Sequence, residues 1–376
     1  MKRSSERILT THTGSLARSR ELLEMMRAKA QGERVDQAAF DAAARTAVAD
    51  VVKKQADAGI DVVNDGEQSK AGFFVYAVER LTGLEPSDAG EDPRAGWKAE
   101  IDAFPEYYAQ YFGQNMQSVA GMKPLAITGP INYQGQAAIK RDIENLKAAL
   151  QGVNVEEAFM PSLGPRMLGR NAYYKSNEEC VFAVGEAMRE EYQAIVDAGF
   201  LLQIDDPWLA EGYKDNVRVE AHVEAINHAI RGIPAEKVRF HTCYGINEGP
   251  RIHDPALKDY IELMLHINAG AYSFEGVNPR HQHDWHVFED VKLPEGKIII
   301  PGMVTHASNI VEHPELIADL LVTYANLVGR ENVMAGSDCG FSSQATFTPE
   351  VHPTVVWAKF QALAEGARLA SKRLWQ

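Results

Sequence analysis

The chain has 376 residues, more than a usual single domain but within the range of one α/β barrel carrying insertions. Its 52 acidic residues against 38 basic ones leave a net charge of −14, with no block of lysine and arginine to interrupt it. That balance argues against nucleic acid and anionic membrane as partners, because both draw on positive fields, and leaves a small molecule as the expected substrate.

The first residues, Met1 to Arg7, lead straight into a short apolar stretch that lacks the apolar core of a signal peptide. No apolar run reaches membrane-spanning length, so the reading is a cytoplasmic protein. Cys180, Cys243 and Cys339 are too few and too scattered for a disulfide framework. In a reducing compartment they are thiols or metal ligands.

Taken in chain order, short β-branched or apolar runs occur at Ile8–Thr11, Asp61–Asn64, Pro124–Thr128, Leu201–Asp205, Val238–His241, Ala271–Phe274, Lys297–Ile300 and Asn332–Ala335. Helical patterns follow most of them, at Asp36–Ala58, Glu178–Ala198, Val217–Arg231, Pro255–Asn268, Pro314–Val328 and Pro349–Leu374. Eight strand-helix alternations predict a single (β/α)8 barrel over residues 1–376, with a doubly wound open sheet as the alternative. Two segments exceed what a barrel needs. Residues 85–121 hold a polar loop from Glu85 to Gly96 and then an aromatic-rich run from Phe104 to Phe112. Residues 130–177 form a second excursion after the third predicted strand. Both are expected over the C-terminal face, as lids or as surface for a homo-oligomer, with simple surface packing as the alternative.

In such a barrel the chemistry sits at the carboxyl ends of the strands. Reading each strand to its end gives Thr11-His12-Thr13-Gly14-Ser15, Asn64-Asp65-Gly66-Glu67, Gly129-Pro130, Asp205-Asp206-Pro207, His241 with Cys243, Glu275, a loop reaching His306, and Ser337-Asp338-Cys339-Gly340. His241 and Cys243 are two apart, so in extended backbone they face one way and can grip one ion. With Glu275 and Cys339 they make a mixed S/N/O set suited to tetrahedral zinc. Ligands spread over three strands, with a carboxylate as the one most easily displaced, suit a catalytic ion better than a structural one. His12 is expected to face the lumen, either touching substrate or making a structural hydrogen bond. Cys180 lies in an apolar helical run and reads as core.

These motifs, His241-Thr242-Cys243-Tyr244, Phe274-Glu275, Ser337-Asp338-Cys339-Gly340, Ile204-Asp205-Asp206-Pro207, Asp65-Gly66-Glu67, Thr13-Gly14-Ser15 and Thr128-Gly129-Pro130, together resemble the catalytic domain of cobalamin-independent methionine synthase, in that family's order. The resemblance implies a (β/α)8 barrel with zinc held by His241, Cys243, Glu275 and Cys339, and methyl transfer from a folate to the thiol of homocysteine. It further implies that Asp205 takes the substrate ammonium, that Glu67 and Ser15 hold its amino-acid end, and that His306 donates a proton to the leaving group. The expected partners are therefore a small-molecule thiol and an alkyl donor.

Two stretches beside the metal depart from the family pattern, Phe341 to Thr346 and Gly276 to His286. They keep two alternatives open. One resembles epoxyalkane:coenzyme M transferase, in which a zinc-bound thiol opens an epoxide and Arg280 or Arg251 meets the sulfonate. The other is a zinc- or thiol-binding barrel without catalysis. For Arg251 and Arg280 the competing reading is a surface ion pair. For His281, His283 and His286 the choices are a second metal site, a pocket wall or a solvated turn.

Overall fold

The computed structural model describes residues 1–87, 97–114, 118–120, 124–211, 217–245 and 249–376. Most of the predicted loop Glu85–Gly96 lies outside the described residues. Among those described, ten strands occur in chain order. They are β1 Val62–Val63, β2 Leu84–Pro86, β3 Leu125–Ile127, β4 Glu157–Leu163, β5 Arg170–Asn171, β6 Leu201–Asp205, β7 Val238–His241, β8 Ala271–Phe274, β9 Ile298–Val304 and β10 Gly336–Ser337.

Seven of them form one parallel sheet in the order β1-β4-β6-β7-β8-β9-β10. The sheet curls until its edges meet across residues 9–11. Thr10 bridges Ala335 and Thr11 bridges Val62, both in parallel, and the Thr11 amide donates to the Ala335 carbonyl at 2.8 Å. An eighth short strand segment thus closes the ring, as a (β/α)8 barrel requires and an open doubly wound sheet forbids.

The third barrel strand is not the one the sequence suggested. Leu125–Ile127 is extended, but it pairs antiparallel with β2 and parallel with β5 in a separate three-stranded sheet. Its place in the ring is taken by β4, whose register runs from Phe159 opposite Leu201 to Leu163 opposite Asp205. Pro161 disguised this strand, because proline removes a ladder donor and usually marks an edge or a turn. Here its carbonyl accepts from Lys70 Nζ at 2.6 Å. Gly129-Pro130 therefore does not end a barrel strand.

Side chains from alternate strand positions fill the ring with Leu9, Val62, Phe159, Leu201, Ala271, Ile298, Ile300 and Met334. One cation shares that interior. The Arg239 guanidinium lies 3.9 Å from the centre of the Phe159 ring, and it donates to Thr11 Oγ1 at 3.0 Å and the His12 carbonyl at 3.2 Å. Replacing Phe159 by alanine removes both the packing and that cation-π face, a loss of about 3–5 kcal/mol.

The outer layer is helical. Asp36 caps the helix Gln37–Asp57 by accepting from Ala38 N and Ala39 N, and Ser176 caps Asn177–Asp197 by accepting from Glu179 N, each satisfying amides that have no partner inside the helix. Among the described residues no helix is long and apolar enough to cross a membrane.

Candidate metal centre

β7 and β8 run side by side with His241 opposite Ser273, so the Ser273 hydroxyl meets His241 Nδ1 at 3.1 Å. The other ring nitrogen, Nε2, is buried without a hydrogen-bond partner. Two residues on, Cys243 Sγ lies 3.1 Å from Cys339 Sγ, which the chain delivers just after β10. His241, Cys243 and Cys339 present one ligand atom each, all within 4.8 Å of one another, and all three residues are buried.

The electrostatics of this triad are those of a site built for a cation. Burial, with the positive charge of Arg239 beyond, holds the His241 imidazole down to a pKa of about 3, so the ring is neutral and can ligate. The Cys243 thiol is pushed well above its usual range, first by its contact with Cys339 and then by burial. Two buried thiols beside an unpartnered imidazole nitrogen are costly as they stand, and a divalent cation would satisfy all three at once. The donor set fits zinc.

Glu275, the fourth expected ligand, is buried beside this triad but engaged elsewhere. Its Oε1 accepts from the Tyr244 amide at 3.0 Å. Its Oε2 accepts from Arg251 at 2.9 Å and from Asn278 Nδ2 at 2.7 Å. With His306 and Asp338 it forms a second buried group whose ligand atoms lie within 4.8 Å of one another. Asp338 is itself wrapped by the turn that follows Glu275, accepting from the amides of Gly276, Val277 and Asn278 at 2.7, 3.1 and 3.1 Å.

His306 donates from Nε2 to the Gly245 carbonyl at 2.9 Å, since a carbonyl can only accept. Its buried Nδ1 has no hydrogen-bond partner. Burial, with Arg251 adding repulsion, lowers its pKa to about 4, so the ring is neutral near pH 7. His306, Gly340 and Phe341 line a small pocket of about 40 Å³ together with Tyr111, Ser118 and Ser342. Tyr111 comes from the aromatic-rich segment of the first insertion.

A second polar cluster begins on the neighbouring strand, where Asp205 is paired in register with His241. Asp205 closes β6 and accepts from Gln203 Nε2 at 2.8 Å. Burial first, and then the nearby Glu67 carboxylate, push the Asp205 carboxyl well above the usual range. Glu67 is buried and sits at φ 55, among the described residues one of two non-glycine positions with left-handed backbone, the other being Arg251 at φ 54. Such strain persists only where the surroundings impose it, and it concentrates at functional sites. Ser15 packs against the loop that follows Cys339: its hydroxyl meets Ser343 Oγ at 3.3 Å and its carbonyl accepts from Phe341 N at 3.0 Å. A Cβ at Gly340 would overlap the Ser15 hydroxyl, which is why glycine follows Cys339.

Two expectations need correction, and one open choice is decided. His12 turns toward the helical layer rather than the lumen, with Nε2 2.8 Å from Gln55 Oε1 and its ring 5.0 Å from that of Phe360. Strand alternation explains it, since neighbouring Leu9 and Thr11 already take the inward positions. Arg280 is exposed and donates to the Ile252 carbonyl at 3.3 Å, whereas Arg251 is a buried ion-pair partner rather than a surface one. Of the three histidines, His281 is buried between Asp284 at 2.8 Å and Asp254 at 3.2 Å. His283 and His286 are exposed beside Asp284 and Glu289. They join no metal-type cluster among the described residues.

Sequence reading also missed Ser273 and Asn278, and it named Arg251 without its partner Glu275. Only the strand register would have pointed to Ser273, and the other two act through folded loops.

Residues 163–355 match the family described as the cobalamin-independent synthase, catalytic domain. A methionine synthase of Sulfolobus acidocaldarius is 27% identical over 261 residues, covering 68% of this chain and 67% of that protein. A methionine synthase of Sulfurisphaera tokodaii is 25% identical over 348 residues, covering 88% and 85%. Among solved structures, a B12-independent methionine synthase from a Shewanella species, in complex with selenomethionine, shares the fold with a TM-score of 0.74 at 20% identity, covering 98% of this chain and 99% of that one. The matched span carries His241, Cys243, Glu275, His306 and Cys339 and about half of the sequence, and the chain belongs to the cobalamin-independent synthase family through its catalytic domain.

Proposed function

We propose that this enzyme transfers a methyl group to the thiol of homocysteine in a zinc-dependent reaction. The observation that carries the reading is the convergence of an unpartnered buried His241 Nε2 with two thiols from distant strands. His241, Cys243 and Cys339 would hold the zinc, with Glu275 beside it. When bound, zinc supplies the positive charge that ionises a coordinated thiol at neutral pH.

The chain's own groups do the rest. Asp205 and Glu67, two carboxylates crowded in a buried cluster, repel each other until an ammonium comes between them, which suits an amino-acid thiol. Ser15 lines the approach to Cys339. His306 faces the cavity where the methyl donor would lie, and its Nδ1 can carry a proton once negative charge develops there. Two thiols this close also need a reducing compartment, which suits the cytoplasm.

The coenzyme M alternative loses support, because the Arg251 charge already pairs with Glu275 and Asp254 and Arg280 is turned to a surface carbonyl. The test is incubation of the zinc-loaded protein with homocysteine and a methyl-folate, and separately with coenzyme M and an epoxide. Methionine in the first assay and no product in the second is expected. The reverse outcome would transfer the enzyme to the epoxide-opening class.

A further inference from the structure

Three residues after Ser15, a buried cation spends its hydrogen bonds on backbone carbonyls rather than on a carboxylate. Arg18 Nε and Nη2 both donate to the Lys70 carbonyl, at 3.2 and 2.8 Å. Nη1 donates to the Leu16 carbonyl at 3.2 Å and also to the Ser342 carbonyl. Three stretches of chain therefore meet on one side chain: the turn that carries Ser15, the turn after β1 and the loop after Cys339. Burial lowers the Arg18 pKa from its ordinary value, and the negative charges of Glu67 and Asp65 work against that fall. The attraction acts through space, so it does not consume the Glu67 carboxylate as a direct ion pair would.

What Arg18 fastens is the turn in which Glu67 takes its left-handed backbone. The first half of that turn is held by its own side chains, with Asn64 Oδ1 accepting from Gly66 N at 2.9 Å and Asp65 Oδ1 from Glu67 N at 3.0 Å. The second half closes through Lys70 N, which donates to the Glu67 carbonyl at 3.0 Å. Lys70 is then gripped twice, its carbonyl by Arg18 and its ammonium by the Pro161 carbonyl at 2.6 Å. Further on, the chain pairs with the segment that departs from the family pattern. Phe73 N donates to the Ser343 carbonyl at 2.9 Å, and Ala345 N to the Ala71 carbonyl at 3.0 Å. The Ala345 carbonyl in turn accepts from Val119 N at 2.8 Å, at the end of the first insertion. Residues 343–345 thus form the middle of a small pleat, and Arg18 ties two of its members together a second time.

We propose that Arg18 is a positioning residue for the acceptor's amino group: by fastening the Glu67 turn to the loop after Cys339, it holds the Glu67 carboxylate where, with Asp205, it meets an ammonium. A guanidinium suits this task because its planar fork reaches several carbonyls at fixed angles, which a single ammonium on a flexible stem cannot do. The strained backbone at Glu67 persists because the surroundings impose it, and Arg18 is the side chain that joins those surroundings. The inference rests on the reading of Asp205 and Glu67 as the ammonium site.

Calorimetric binding of two thiols to the zinc-loaded full chain tests it, with homocysteine set against 4-mercaptobutyrate, which has the same length and no amine. Wild type, Arg18→Met and Arg18→Lys are compared. Arg18→Met is expected to weaken homocysteine by about tenfold, the lower end of a charge-assisted hydrogen bond, and to leave 4-mercaptobutyrate unchanged. Arg18→Lys keeps the charge but loses the fork, so it should fall with Arg18→Met. Equal loss for both thiols would make Arg18 part of the scaffold and overturn the proposal, as would unchanged homocysteine binding. Full rescue by lysine would also overturn it, since charge alone would then suffice. If Arg18→Met fails to fold, Arg18→Lys decides by the same comparison. A wild-type protein that binds the two thiols alike would end the ammonium reading itself, and this proposal with it, a result recognisable before any variant is made.

Discussion

Cys243 and Cys339 stand 96 residues apart in the chain and 3.1 Å apart at sulfur. The closed ring brings β7 and β10 to one place, and a shared weak S–H hydrogen bond stabilises two buried thiols far less than a common cation or an oxidation would. Aerobic removal of metal is therefore expected to join them. Titration of unfolded, non-reduced protein should fall from three free thiols to one, leaving Cys180, which is buried in a helix elsewhere. Retention of all three after prolonged exposure to air would contradict the proximity.

The Ser273 hydroxyl fixes the His241 ring by holding Nδ1, which leaves Nε2 to face the thiols. Ser273→Ala should weaken zinc affinity by about 10- to 100-fold without unfolding the barrel. Competition with a chelator measures it, and an unchanged affinity would mean that the ring is oriented by packing alone.

On the strand beside His241, Asp205→Asn removes the carboxylate that would pair with an ammonium. KM for homocysteine should rise by about 10- to 100-fold, corresponding to a charge-assisted hydrogen bond of ~1.5–3 kcal/mol. A thiol of the same length without the amine should bind both proteins alike. Equal loss for both thiols would assign Asp205 to the scaffold instead.

Acid stability has its own signature. Burial, relieved in part by Gln55 and reinforced by Arg239, lowers the His12 pKa to about 4 from an ordinary 6.5. The unfolded chain then binds a proton that the folded chain refuses, so stability falls as pH drops from about 6.5 to about 4. The full effect is on the order of 3 kcal/mol. Asp65 opposes it, because burial raises its carboxyl to about 6 and favours the folded state at low pH. His12→Gln should flatten the acid limb of a denaturation-against-pH curve, and an unaltered slope would place the titration elsewhere.

Much of this was legible in the chain because the chemistry sits at strand ends, and strand ends are local. His241 and Cys243 share a face by the period-two rule, and Ser337-Asp338-Cys339-Gly340 marks another strand end without reference to the rest. What escaped was decided by pairing. Leu125–Ile127 has the composition of a barrel strand yet joins a side sheet, whereas β4 hides a proline and carries Ser162 and Leu163 to the mouth. Glu275 was visible as a ligand type, but the Arg251 that occupies it lies 24 residues earlier in a turn with no periodicity. The polar interior around Arg239 was likewise invisible, since a strand reading of Val-Arg-Phe-His cannot say which face meets Phe159.

The most direct measurement is zinc X-ray absorption on the full-length protein, with metal content determined in parallel. The account predicts about one zinc per chain bound through two sulfurs and a histidine nitrogen, rising to three sulfurs when homocysteine is added. A protein that takes up no stoichiometric zinc, or whose sulfur count stays at two in saturating homocysteine, would contradict it.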